Sequence, residues 1–462
     1  TTGTVSSSGM STDTVNNIEN YTTGSGDDIF NITDANDNII NAGAGNDTTN
    51  VGGSAASNTF TVVRTGSNVT VTGTGIGNYT YNSIENINIT EGIGDDVVNL
   101  TDSSNNIVDG NGGTNDVINV VKNSNANGTI TITRSGTDVD ASGTGIGTDS
   151  YLDVDVVNVR GGTGNDTLVI QDENNNTFDG NGGTDTVEVT SANNGGETIS
   201  IFRTGENVAV SSTGIGSDTY LDTDQVNITG GDGDDTFDIF DEYDNVFNGG
   251  AGTDTVDYTT TSANITVVFD VFSNTLVSGI GVGTDTLISI ENLISGGGDD
   301  TFTIQDEDDN TIDGAGGNDT VNVIMENTYS GVITIVRNPA NVVTVQGSGY
   351  GFDQFINIEQ VNVESSSGDD IFRPDDDQNN IFDAGGGEDW IDYSSLATGV
   401  NVNLSTNTAT GEGNDELYNF ENIFGTTSGD TLIGDANDNI ITGSGGNDII
   451  NGGAGTDTFD ET

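Results

Sequence analysis

The sequence predicts an all-β chain wound as a parallel β-solenoid, a β-roll or β-helix, and three observations predict it. A glycine-aspartate loop recurs along the 462 residues at a mean spacing of 67, and self-similarity at a fixed period marks stacked repeats. Each loop is followed by alternating apolar and polar residues, as in DDIFNI, DTLVIQ and DTVEVT, the signature of a short half-buried strand. Gly and β-branched residues dominate and no apolar face persists at helical spacing, so no helix is expected.

The loops come in a fixed order. A first marker reads GSGDDIF from Gly24, GIGDDVV from Gly92, GTGNDTL from Gly162, GDGDDTF from Gly231, GGGDDTF from Gly296, SSGDDIF from Ser366 and TTSGDTL from Thr426. A second glycine loop, such as NAGAGND or DGNGGTD, closes 18 to 20 residues later, and GGAGTD ends the series. Between the markers lies a DxxDN or DxxNN element, led by Asp34, Asp102, Asp172, Asp241, Asp306, Asp376 and Asp435. It closes on Asn38, Asn106, Asn176, Asn245, Asn310, Asn380 and Asn439. Short loops alternating with short strands describe coils that pair in parallel, with Gly, Asn and Asp where the backbone turns left-handed or coils approach closely.

The other 30 to 40 residues of each copy, such as NTFTVVRTGSNVTVTGTGIGNYTYNSIENINI from Asn58, carry longer strands broken at Arg-Thr-Gly and Gly-Thr-Gly-Ile-Gly. They read as wider coils of the same stack, with a protruding hairpin or small sandwich as the competing reading. The super-repeats then span 1–51, 52–120, 121–189, 190–258, 259–323, 324–393 and 394–462, in one continuous solenoid. Phe30, Phe60, Tyr81, Phe237 and Phe302 fall on strand positions and are expected in the core. Arg64, Arg134, Arg203 and Arg337 recur in the wide segments, where an ion pair or a carbonyl cap is the expected role; one copy has Asp270 nearby instead.

Composition narrows the chemistry. There are 74 Asp and Glu against 7 Lys and Arg, a formal charge of −67. Such a chain repels itself most when compact, so something positive must bind it. Nucleic acid and anionic membrane are excluded as electrostatic partners, because both need a basic patch. No run of apolar residues is long enough to span a membrane as a helix. With no Cys and no His, thiolate and imidazole chemistry are absent and only oxygen ligands remain, which suits hard cations such as calcium. Loops 18 residues apart stack about 4.8 Å from one another on one edge of a solenoid. A cation between them can take backbone carbonyls from the Gly-x-Gly segments and carboxylates from the closing Asp residues.

The pattern GGxGxDxhx, with h apolar, resembles the RTX (repeats-in-toxin, hemolysin-type) calcium-binding nonapeptides of secreted and surface bacterial proteins. From Asp389 to Phe459 the resemblance holds nearly throughout; elsewhere the loops come in threes and the middle one departs as DxxDN. Carried over by position, the resemblance implies calcium between Asp28 and Asp47, Asp96 and Asp116, Asp166 and Asp185, Asp235 and Asp254, Asp300 and Asp319, Asp370 and Asp389, Asp430 and Asp448, and Asp438 and Asp457. Gly24, Gly26, Gly43 and Gly45 exemplify the carbonyl donors, and Asp27, Asp95, Asp234, Asp299 and Asp369, with Asn165, are auxiliary ligands. The Asp96 to Asp116 interval holds one extra residue. The DxxDN elements either bind calcium too or make Asx turns with a ladder of stacked Asn amides.

The expectation is a non-enzymatic, calcium-dependent extracellular structural protein: a surface-layer, filament or adhesin-stalk subunit holding multiple calcium ions, at least about eight. Self-association, head-to-tail or lateral, is expected because solenoid ends are unprotected. The alternatives are the repeat region of a larger secreted enzyme or toxin, and an ice- or glycan-binding adhesin module built on Thr rows.

Overall fold

A computed structural model describes residues 2–7, 12–16, 18–33, 35–53, 57–270, 274–325, 330–347 and 350–461. Asp34, the leading residue of the first DxxDN element, lies outside them. Almost every regular element is a strand; a single 3-10 turn, Leu404–Thr406, is the one helical element among the described residues. The chain divides into two compact units, Thr1–Asp232 and Gly233–Thr462.

In the first unit the chain passes back and forth between two sheets. Strands pair with strands one coil away in parallel register, as Val97–Thr101 does with Val117–Val121, and that strand with Val156–Arg160. Burial alternates along them, as in Asp166–Gln171 and Val117–Val121. The inward residues meet between the sheets, where Phe30, Phe60, Tyr81 and Phe178 are fully buried. Each such aromatic contributes about 1.5–3 kcal/mol by leaving water.

The 30-to-40-residue segments are neither wider coils nor protruding hairpins. From Thr59 onward each is a three-stranded antiparallel meander lying in the plane of one sheet, whereas Thr2–Ser7 pairs antiparallel with Asp13–Asn16 and with Asp28–Ile32. Gly128–Ser135, Asp138–Gly143 and Gly147–Leu152 pair antiparallel in turn, while the outer two pair in parallel with Asp166–Gln171 and Asn106–Asp109. The third strand contacts the preceding coil and the first strand the following one, so the meander runs backward along the stack. In the other sheet Val117–Val121 and Val156–Arg160 meet directly. Meanders at Thr59–Asn82 and Thr198–Leu221 are built alike.

Four single strands separate one meander from the next, so each successive meander falls in the opposite sheet. The loops swap edges with them: those closing at Asp28, Asp47, Asp166 and Asp185 line one edge of the unit, and those closing at Asp96 and Asp116 line the other.

The second unit follows the same rule, with meanders from Ile265, Val332 and Asn401. Asp235, Asp254, Asp370 and Asp389 close loops on one edge, and Asp300, Asp319, Asp430 and Asp448 on the other. After Asn414–Tyr418 no meander intervenes, and short strands alternate to Thr458–Asp460.

The Asn ladder exists, but at the outward positions of strands rather than at the closing residues of the DxxDN turns. Asn50 Nδ2 donates to Asn31 Oδ1 (2.6 Å) and Asn88 Nδ2 to Asn50 Oδ1 (2.8 Å), and the series Asn99, Asn119 and Asn158 repeats this. The closing Asn residues instead bond their own turn and the neighbouring coil, as Asn106 Nδ2 does to the Ser104 carbonyl (3.0 Å) and to Asp149 Oδ1 (3.0 Å).

Candidate metal centres

Each first-marker loop is clasped to the loop 18 to 20 residues further on by two recurring bonds, of which the loop closing at Asp430 makes the first alone. The backbone N–H of the first closing Asp donates to Oδ1 of the second: Asp28 to Asp47 (2.8 Å), Asp96 to Asp116 (2.8 Å), Asp166 to Asp185 (2.7 Å) and Asp235 to Asp254 (2.7 Å). Asp300 to Asp319 (2.8 Å), Asp370 to Asp389 (2.7 Å) and Asp430 to Asp448 (2.9 Å) complete the series. In six of the seven the residue before the closing Asp accepts from the next loop, as Asp27 does from Asn46 N–H (2.8 Å), Asp95 from Thr114 (3.0 Å), Asn165 from Thr184 (3.0 Å), Asp234 from Thr253 (2.9 Å), Asp299 from Asn318 (2.9 Å) and Asp369 from Glu388 (2.9 Å); before Asp430 stands Gly429.

Seven of the eight pairs expected from the sequence are thus brought together. At the eighth, Asp457 Oδ1 accepts from the N–H of Asn439 (3.1 Å), not Asp438, which accepts from Thr456 N–H (2.6 Å) as the preceding residues do in other loops. In the Asp96 to Asp116 interval Asp95 keeps its partner 19 residues on, so the extra residue is the exposed Asn115.

Glycine is required where loops touch. A Cβ on Gly43 would lie 1.9 Å from the Gly24 carbonyl oxygen and one on Gly45 2.5 Å from that of Gly26, and both have positive φ. Gly183, Gly252 and Gly317 meet the carbonyls of Gly164, Gly233 and Gly298 in the same way. The closing carboxylate folds back over its own loop: a Cβ on Gly180, Gly249 or Gly314 would fall 2.2–2.5 Å from Oδ2 of Asp185, Asp254 or Asp319.

That second oxygen is orphaned. Oδ2 of Asp47, Asp96, Asp185, Asp254, Asp319 and Asp389 is buried without a hydrogen-bond partner, as are both carboxylate oxygens of Asp28. Burial, with neighbouring carboxylates beside them, pushes Asp116, Asp185, Asp254 and Asp319 up to about 6 and Asp389 to about 7. Two carboxylates 4 Å apart repel by about 4 kcal/mol at an effective dielectric of 20. Orphaned carboxylate oxygens stacked against a row of carbonyls are the donor set a hard dication requires, and six to eight such oxygens with loose geometry suit calcium better than magnesium.

Three of the DxxDN turns are different because their leading carboxylate already has a cation. Arg64 pairs with Asp102 and caps the Ile84 carbonyl (2.9 Å), Arg134 holds Asp172 and the Val154 carbonyl (2.7 Å), and Arg337 holds Asp376 (2.7 Å) and the Ile358 carbonyl (3.0 Å). Arg203 caps the Thr223 carbonyl (2.7 Å). The expected ion pair and the expected carbonyl cap are therefore made by one guanidinium.

Three sets of functional acids were missed from the sequence. The loop GTGIGTD within the meander ends on Asp149, whose Oδ1 accepts from Asn106 N–H (2.7 Å) while Tyr151 Oη donates to Oδ2 (2.8 Å). Asp218, Asp285, Asp353 and Asp415 take the same place opposite Asn176, Asn245, Asn310 and Asn380. Glu85, Asp155, Asp224, Glu291, Glu359 and Glu421 each accept the N–H of a second-loop closing Asp at 2.7–2.9 Å. Their recurrent x-[Ile/Val/Thr/Phe]-acid setting, as in SIEN and NFEN, was the available signal. Glu91, third, lies against Asp96 and Asp116, and burial and those two carboxylates push it up to about 8.

One loop carries its own cation. Lys122 Nζ, fully buried, pairs with Asp166 and with the Ala126 carbonyl.

Compared with protein families, residues 241–259 and 424–459 match the RTX calcium-binding nonapeptide repeat in four copies. The second stretch is the run without a meander, where loops 18 residues apart face each other on both edges. No curated protein matches the chain.

Proposed function

We propose that this chain, a β-solenoid bearing RTX calcium-binding repeats, is a calcium-dependent extracellular structural protein, a subunit of a surface layer, filament or adhesin stalk, without catalytic activity. One observation carries the reading: the closing carboxylates of successive loops are clasped in register with their second oxygens buried and unpartnered. Calcium supplies the missing charge there, with Asp28, Asp47 and their equivalents as carboxylate donors and the intervening glycine carbonyls as neutral ones. The millimolar calcium outside cells fills sites of modest affinity, which supports an extracellular setting. The remaining negative charge supports assembly through shared cations. No helix among the described residues is long and apolar enough to cross a membrane.

Light scattering and electron micrographs of the full chain, in millimolar calcium and in chelator, test this. Calcium-dependent ordered assemblies are the expected result; particles of monomer mass at every calcium concentration would contradict the structural role.

A further inference from the structure

In six of the seven first-marker loops, the residue five places before the closing Asp is small and neutral: Thr23, Gly161, Gly230, Ser295, Ser365 or Gly425. It lies beside the closing carboxylate, and where it is Ser365 its Oγ donates to Asp370 Oδ2 (2.5 Å). In the second super-repeat this residue is Glu91.

Glu91 is 2 % exposed and neither of its carboxylate oxygens has a hydrogen-bond partner. One oxygen each from Glu91, Asp96 and Asp116 lies within 4.8 Å of the other two, and all three residues are buried. Asp96 Oδ2 is also unpartnered, while Asp96 Oδ1 accepts from Asn58 N–H and Asp116 Oδ1 from Asp96 N–H (2.8 Å). The backbone bonds thus hold the two aspartates in place and leave Asp96 Oδ2 and both Glu91 oxygens buried without a partner. No Arg or Lys pairs with any of the three in the described structure, unlike Asp166, which has Lys122.

We infer that Glu91, Asp96 and Asp116 form a three-carboxylate cation site, distinct from the two-carboxylate loops, that fills with calcium ahead of them. Affinity of oxygen sites rises with ligand charge and rigidity, and this site has one more charge than its counterparts on an equally fixed backbone. The inference rests on the calcium reading above.

Calorimetric calcium titration of the full chain and of its Glu91→Gln variant tests it. In the variant the tightest binding should weaken by at least about tenfold, or lose one ion, with the weaker sites unchanged. The calcium needed to bring the chain to half its full β signal should also rise in the variant, while its β signal at saturating calcium stays that of the wild type, a pattern that a packing role would not give. Glu91→Gly, which installs the residue present at 161, 230 and 425, should show the same loss and guards against a variant-specific folding defect. Identical stoichiometry and tightest affinity in wild type and both variants would overturn the site alone. A wild-type chain that takes up no calcium would overturn the calcium reading and this site with it.

Discussion

At the residue scale, the charge that matters most is the one that is least repeated. Lys122 is the single lysine, and its side chain and that of Asp166 are both fully removed from solvent. Removing one partner of a buried pair costs about 3–5 kcal/mol, because the other charge is left uncompensated. Lys122→Met should therefore lower stability by about that much in millimolar calcium, read as a fall in the urea midpoint; an unchanged midpoint would mean that Asp166 does not depend on the ammonium. The lysine was visible in the sequence but its partner was not, since the contact crosses 44 residues and a whole meander. Glu91 was hidden for a related reason: it stands at a glycine position, and only the fold-back of Asp96 and Asp116 turns that substitution into a cluster.

Among the elements, strands and glycine loops were legible because period-2 alternation and fixed loop spacing are local signals. The meanders were not, because a wide coil and three in-plane antiparallel strands give the same alternation. They differ only in which distant strand each one pairs with. The acidic turn inside five of the six meanders stayed hidden in their glycine-rich loops, yet it completes the facing DxxDN turn. There burial pushes Asp149, Asp218 and Asp415 up to about 7, Asp285 to about 8 and Asp353 to about 6. These groups hold protons in the folded chain that the unfolded chain has already released above its ordinary carboxylate pKa near 4. Their stabilisation is complete at acid pH and is lost as pH rises through about 6 to 8. At saturating calcium, which keeps the glycine loops filled across the range, the denaturation midpoint should accordingly fall from pH 5 to pH 8. A flat or rising profile would mean that these carboxylates are charged in the fold.

For the whole molecule, the sequence arithmetic and the structure converge on one requirement. A formal charge of −67 is distributed so that three of the DxxDN turns are offset from within by Arg64, Arg134 and Arg337, while among the described ion pairs one first-marker loop has an internal cation, Lys122 on Asp166. The odd number of crossings between meanders moves those loops from edge to edge within each unit, so that paired carboxylates are spread over both edges rather than stacked in one row. Eight dications would still leave about −51, a surplus that favours further shared cations between copies. Folding is then coupled to metal, since an ion that binds only the folded state adds its binding free energy to stability. The most direct test is circular dichroism with hydrodynamic radius on the same sample, first in chelator and then in millimolar calcium. An expanded chain with little β signal that compacts and gains β structure on adding calcium is the result this account predicts; a compact, fully β-structured protein in chelator would contradict it.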